Sequence, residues 1–330
     1  MKTIPFFILL YCCISCNGQP PLGTDHLTLE KSIEMPEVSG RIDHLTINLK
    51  DNLVYVAALG SNTVEVVDLN RGKVIHSIKG LDEPQGVCYL PVQNELVVAN
   101  GGNGNCMFYN AVTYATIATV HLGSDADNVR YDAGNKKIYV GYGSGGIAVI
   151  DAATHQQTAN IPLPVHPESL QIDEKNKLLF VNLPDNNSVA VIDMPTAKVI
   201  HTWKIDSLKA NFPMALDTAG NSVIIGYRNP PMLVSYNATT GKERSRTALI
   251  GDVDDVFYYE PKQEIFASGG DGAINIFKKA SNSGFTRIAN IPTRSGARTS
   301  LLIPSLQRFV VAERPSGGKY AALAVYKIND

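Results

Sequence analysis

Residues Asp43 to Ile78 spell out one complete unit of the architecture. It begins Asp43-His44-Leu45-Thr46-Ile47-Asn48, turns at Lys50-Asp51-Asn52, and continues as Leu53-Val54-Tyr55-Val56-Ala57. A loop at Gly60-Ser61-Asn62 leads into Thr63-Val64-Glu65-Val66-Val67-Asp68, and a turn at Asn70-Arg71-Gly72 into Lys73-Val74-Ile75-His76-Ser77-Ile78. These are short runs rich in Val and Ile, separated by Gly, Asn and Asp. They describe a four-stranded antiparallel meander.

The meander recurs. Aligned on their second strands, the copies place equivalent first-strand positions at Asp43, Gln85, Asp127, Glu168, Phe212, Asp254 and Arg298, at steps of 42, 42, 41, 44, 42 and 44 residues. Second strands repeat as Leu96-Val97-Val98-Ala99, Ile138-Tyr139-Val140-Gly141 and Leu179-Phe180-Val181-Asn182, and on to Phe309-Val310-Val311-Ala312. Seven copies of a four-stranded unit at this period predict an all-β, seven-bladed β-propeller. The seventh copy stops at its third strand, Ala322 to Lys327, while Leu27 to Ile33 supplies a strand before the first copy. The N-terminal strand is therefore expected to pair with the last blade and close the ring, which removes exposed strand edges.

Composition agrees. The chain has 330 residues, 44% hydrophobic and 18% charged, enough apolar material for a large core. Lys and Arg total 29 against 31 Asp and Glu, so there is no positive field to hold phosphate backbones and no nucleic-acid partner is expected.

Residues 1–16 read as an export leader: Met1-Lys2, the apolar run Ile4 to Ile14, then Ser15 before Cys16. Cys13-Ile14-Ser15-Cys16 resembles a bacterial lipobox, in which the last Cys is acylated. That implies an exported protein, either a periplasmic or outer-membrane-anchored lipoprotein, or one simply secreted. Residues 17–25, with Gly18, Pro20, Pro21 and Gly23, would be the linker, and 26–330 a single propeller expected to be a monomer.

The tandem pattern resembles the YVTN β-propeller family. The resemblance rests on Tyr55-Val56-Ala57, Thr63 to Asp68 and Lys73-Val74-Ile75, with echoes in repeats three and four. It implies the architecture over residues 26 to 330. Such propellers include surface-layer repeats, lactonases, lyases and electron-transfer subunits, so the likeness does not choose an activity. The single Trp, Trp203, argues against the WD40 type.

Cys88 and Cys106 fall on the first and third strands of the second blade. Two strand spacings put them about 9.6 Å apart, beyond disulfide reach, and both read as small apolar residues. No covalent-haem motif stands anywhere, and no copper set of Cys, Met and His, so haem and electron transfer are not expected.

The chemistry is expected at the channel mouth, where the aligned first-strand column converges. Asp43, Asp127, Glu168 and Asp254 form a candidate set for a divalent cation: Ca²⁺ or Mg²⁺ on oxygen alone, with His44 or His166 widening the choice to Zn²⁺ or Mn²⁺. His44 and His166 are candidate proton carriers and Arg298 a candidate anion or oxyanion holder. Arg41, Asn128, Asn211, Asp255 and Arg228 are candidate ligand contacts, with Tyr142, Tyr227 and Arg314 as walls. Phe212 and Gln85 in the same column show that the scaffold itself needs no charge there. The Gly-rich runs Asn100 to Asn105 and Gly141 to Gly146 read as compact turns. Two functions follow. One is a metal-dependent hydrolase or lyase acting on a small polar substrate. The other is a non-catalytic propeller binding a small polar molecule or an envelope protein.

Overall fold

The computed structural model describes residues 25–280 and 284–329. The expected leader 1–16, and the expected linker except its last residue, lie outside the described residues.

Seven four-stranded antiparallel sheets form a ring of blades. Blade 1 runs from Leu45–Asn48 at the axis, through Leu53–Ala58 and Thr63–Asp68, to Lys73–Ile78 at the rim. The middle strands are buried on both faces. Val54, Val56 and Ala58 pack toward blade 7, while Tyr55 and Ala57 pack toward blade 2. This is why those strands read as continuous apolar runs rather than as alternation. Each of the seven junctions between neighbouring blades holds its own apolar cluster, so the core is a circle of interfaces.

The sequence alignment has a direct structural counterpart. The residues two beyond the column, Leu45, Val87, Val129, Leu170, Met214, Val256 and Ser300, pair with Val56, Val98, Val140, Val181, Ile225, Ala267 and Val311. The ring closes as expected. Leu27–Met35 is the outer strand of blade 7, antiparallel to Ala321–Ile328, with Ile33 opposite Leu323. Cys88 and Cys106 are free; Cys106 is buried, and Cys88 is half-buried on the channel wall.

Candidate functional site

The first strand of a blade does not run regularly into the mouth. In blade 1 Asp43 N donates to Ala57 O at 2.8 Å, and Ala57 N donates back to His44 O at 3.0 Å, so two residues face one. The same pairing joins Asp127 and Asn128 to Gly141, and Glu168 and Ser169 to Asn182. Register breaks fall at the same place in blades 2, 5 and 6. A β-bulge re-aims side chains, and here it turns both members of each pair onto one cavity. The cavity, about 320 Å³, is lined by Asp43, His44, Asp127, Asn128, Glu168 and Ser169 on one side, and by Arg228, Asp254 and Arg298 on the other.

Most aspartates of the repeat have a simpler task. Asp68 accepts the N–H groups of Asn70 and Arg71, Asp151 those of Ala153 and Thr154, and Asp132 that of Asn135. These carboxylates cap turns. The acids of the mouth do not. Asp127 is only 6% exposed, and its Oδ1 is buried with no hydrogen-bond donor. Asn128 Oδ1 beside it is also buried without a donor. Ligand atoms of Asp127, His166 and Glu168 lie within 4.8 Å of one another.

His166 is oriented for this cluster. Its Nδ1 lies 2.6 Å from Gly143 O, to which it donates, and 3.4 Å from Asp125 Oδ2. That contact turns Nε2 toward Asp127, whose Oδ2 is 3.9 Å away. Gly143 presents its carbonyl from a left-handed backbone, φ +60°, that glycine adopts without strain. A ring N–H on a backbone carbonyl with the other nitrogen facing two carboxylates is the usual setting of a metal-binding histidine.

Charge is crowded here. Burial raises Glu168 to about 8, helped by the charge of Asp127. Burial likewise raises Asp43 to about 7, against the pull of His44 and with the push of Asp127. For His166 burial opposes the cationic form, yet Asp127, the Gly143 carbonyl and Asp125 outweigh it and hold the ring up at about 9. His44 lies 3.8 Å from Asp43, 4.0 Å from Asp127 and 3.9 Å from Asp255, and these carboxylates overcome its burial and raise its pKa. Protons thus neutralise part of a site whose acids have too few fixed cations.

The other half of the mouth is already paired. Arg298 Nε meets Asp254 Oδ2 at 2.9 Å, and its Nη1 meets Asp252 Oδ1 at 3.0 Å. Arg228 pairs with Asp254 and donates from Nε to Val253 O at 2.8 Å, its guanidinium lying 3.9 Å above the Phe212 ring. Asp254, expected as a cation ligand, is engaged by arginines at both oxygens and lies outside the cluster of Asp127, His166 and Glu168. Asp43 also stands outside the cluster of three, held by Arg41 at 3.1 Å. Asn211, expected to touch a ligand, instead lies fully buried between blades 4 and 5. Its amide donates to Ser188 O at 3.0 Å and to Asn182 Oδ1 at 3.2 Å. Tyr227 is no wall either, since it is buried with its hydroxyl 2.8 Å from that of Tyr236. Asp255 faces inward, accepting Ser300 N–H at 2.7 Å.

Sequence reasoning missed two participants. The carbonyl of Gly143 orients His166, and only the glycines of its loop hinted at that backbone. Arg130, three residues along the strand from Asp127, lines an inner channel cavity of about 280 Å³ with Thr46, Cys88, Gln171 and Phe257. His44 borders both cavities.

No family model matches the sequence, and no curated protein matches it. Among solved structures, the chain is similar to one in the crystal structure of a mitotic checkpoint complex. That match has 18% identity and a TM-score of 0.78, and covers 99% of this chain and 100% of that one. It is similar also to a chain of Kuenenia stuttgartiensis hydrazine synthase, at 16% identity and a TM-score of 0.76, covering 88% of this chain and 98% of the other. At these identities the likeness shows the propeller fold.

Proposed function

We propose that the channel mouth holds a divalent cation on Asp127, Glu168 and Nε2 of His166 and presents it to a small polar substrate, as a metal-dependent hydrolase or lyase of the cell envelope. The observation that carries this reading is Asp127 Oδ1, buried without a donor inside a cluster whose ligand atoms lie within 4.8 Å. An unsatisfied buried carboxylate is costly, and a cation removes that cost. One imidazole with two carboxylates shifts the preference from Ca²⁺ toward Zn²⁺ or Mn²⁺. Three protein ligands leave positions for water and substrate, where a cation polarises a carbonyl or lowers the pKa of bound water.

The candidate proton carriers divide the remaining work. His166 serves the cation. His44, whose pKa the facing carboxylates Asp43, Asp255 and Asp127 raise against its burial, is placed to donate a proton to a leaving group. Arg298 offers a fixed positive charge at the opposite wall. The leader-like residues 1–16 support export, and the lipobox-like Cys16 supports a lipid anchor.

A second reading is favoured by the paired arginines: a non-catalytic mouth that clasps a small polar molecule or an envelope protein. The similar propeller comes from a structure of a mitotic checkpoint complex, which is an assembly. Metal analysis of protein purified without chelator separates the readings, together with a screen of lactones and esters with Mn²⁺ or Zn²⁺. The proposal expects one ion per chain and turnover abolished by Glu168→Gln. No stoichiometric ion and no saturable Mn²⁺ or Zn²⁺ binding would overturn it.

A further inference from the structure

A smaller cavity of about 140 Å³ adjoins the mouth where blades 7 and 1 meet, lined by Arg41, Ile42, Gly296, Arg298, Ala312 and Arg314. Half of these side chains are guanidinium groups and none is acidic. Arg41 and Arg298 border both cavities; Arg41 pairs with Asp43 and Arg298 with Asp254 and Asp252, of which Asp43 and Asp254 line the larger cavity. Arg314 has no such partner among the described ion pairs, and the adjacent Glu313 is taken by Arg294 at 2.9 Å. Arg314 is exposed, and its side chain folds back over Gly296. Its guanidinium lies against the Cα of Gly296, so a Cβ there would stand 2.0 Å from Nε. Gly296 itself has φ +82° and donates its N–H to Gly270 O at 2.7 Å.

We propose that this pocket is a subsite for an oxyanion group, a carboxylate or phosphate, carried by the molecule that binds in the mouth. Guanidinium groups match planar or tetrahedral oxyanions through paired N–H donors, and Arg314, outside the described ion pairs, brings donors that no carboxylate of the mouth takes. The subsite goes beyond the cation reading and stands without it. That one ligand reaches from the arginine pocket to Asp127 and Glu168 rests on the cation reading.

The test is calorimetric titration of the full chain with inorganic phosphate, with and without Mn²⁺, in wild type, Arg314→Ala and Gly296→Ala. Gly296→Ala keeps the charge but displaces the guanidinium. The expected result is saturable phosphate binding by the metal-free protein, weakened at least tenfold in both variants, with Mn²⁺ affinity unchanged in each. Absence of phosphate binding, or wild-type affinity in Arg314→Ala, overturns the subsite. Phosphate that binds only with Mn²⁺ and ignores Arg314→Ala sits on the ion, which overturns the subsite and leaves the cation reading standing. Loss of Mn²⁺ binding with an intact Arg314 effect does the reverse.

Discussion

Glu168 and Asp127 are chemically similar but carry different demands. Burial and the charge of Asp127 hold Glu168 protonated at neutral pH, so the metal-free site contains a carboxylic acid beside an unsatisfied carboxylate. Glu168→Gln copies the protonated form. In metal-free protein at pH 6 it should therefore leave the melting temperature within about 2 °C of wild type while removing the rise that Mn²⁺ or Zn²⁺ produces. A thermal melt with and without the ion checks both halves. The pH dependence has a definite sign. Glu168 goes from 4.5 to about 8 on folding and His166 from 6.5 to about 9, so the folded protein binds protons that the unfolded chain has released. This stabilisation is complete at low pH, begins to fade above pH 4.5 for Glu168 and above 6.5 for His166, and is gone once pH passes about 9. In a chelator, melting temperature should fall from pH 6 to pH 9. A bound cation should flatten the fall, because it takes the place of the protons. A rise with pH in chelator would contradict these assignments.

At the scale of single strands and loops, the bulge is what makes a site from a repeat. A regular strand would aim Asp127 or Asn128 at the channel, not both, since successive side chains alternate. The repeat period made the column legible in the sequence, because seven aligned second strands fix the register of every first strand. The bulge leaves no such mark. Asn211 shows the consequence. Blade 5 begins its first strand at Lys209, and the side chain one residue before the column turns into the junction with blade 4. The pairing of Asp254 is hidden for another reason. Asp254 belongs to the column, but its partners Arg228 and Arg298 come from the neighbouring blades, and no spacing rule reports that meeting. The Gly143 carbonyl was hidden because a left-handed turn sets it. Gly143→Val strains that turn and moves the acceptor from His166, so cation affinity should drop by about tenfold to a hundredfold in an isothermal titration.

For the whole molecule, closure depends on Leu27–Met35, far in sequence from the blade it completes. Repeat counting made this legible, because the seventh copy lacks a strand and the chain offers one spare strand ahead of the first. Ile33 lies buried at the junction of blades 7 and 1, so Ile33→Ala should cost about 3 kcal/mol in a denaturant melt, more than an equivalent change at the exposed Ile75. An Ile33→Ala loss no larger than that of Ile75→Ala would show that the ring does not need its latch. The ring is also what joins residues some forty positions apart: Asp127 comes from blade 3, His166 and Glu168 from blade 4, and His44 from blade 1.

Anomalous scattering from a crystal of the protein soaked in Mn²⁺ shows whether the mouth takes an ion. A peak is expected there about 2.0–2.2 Å from an oxygen of Asp127, an oxygen of Glu168 and Nε2 of His166. A mouth without a peak at saturating Mn²⁺, or a peak only among the turn-capping aspartates of the rim, would contradict the cation reading.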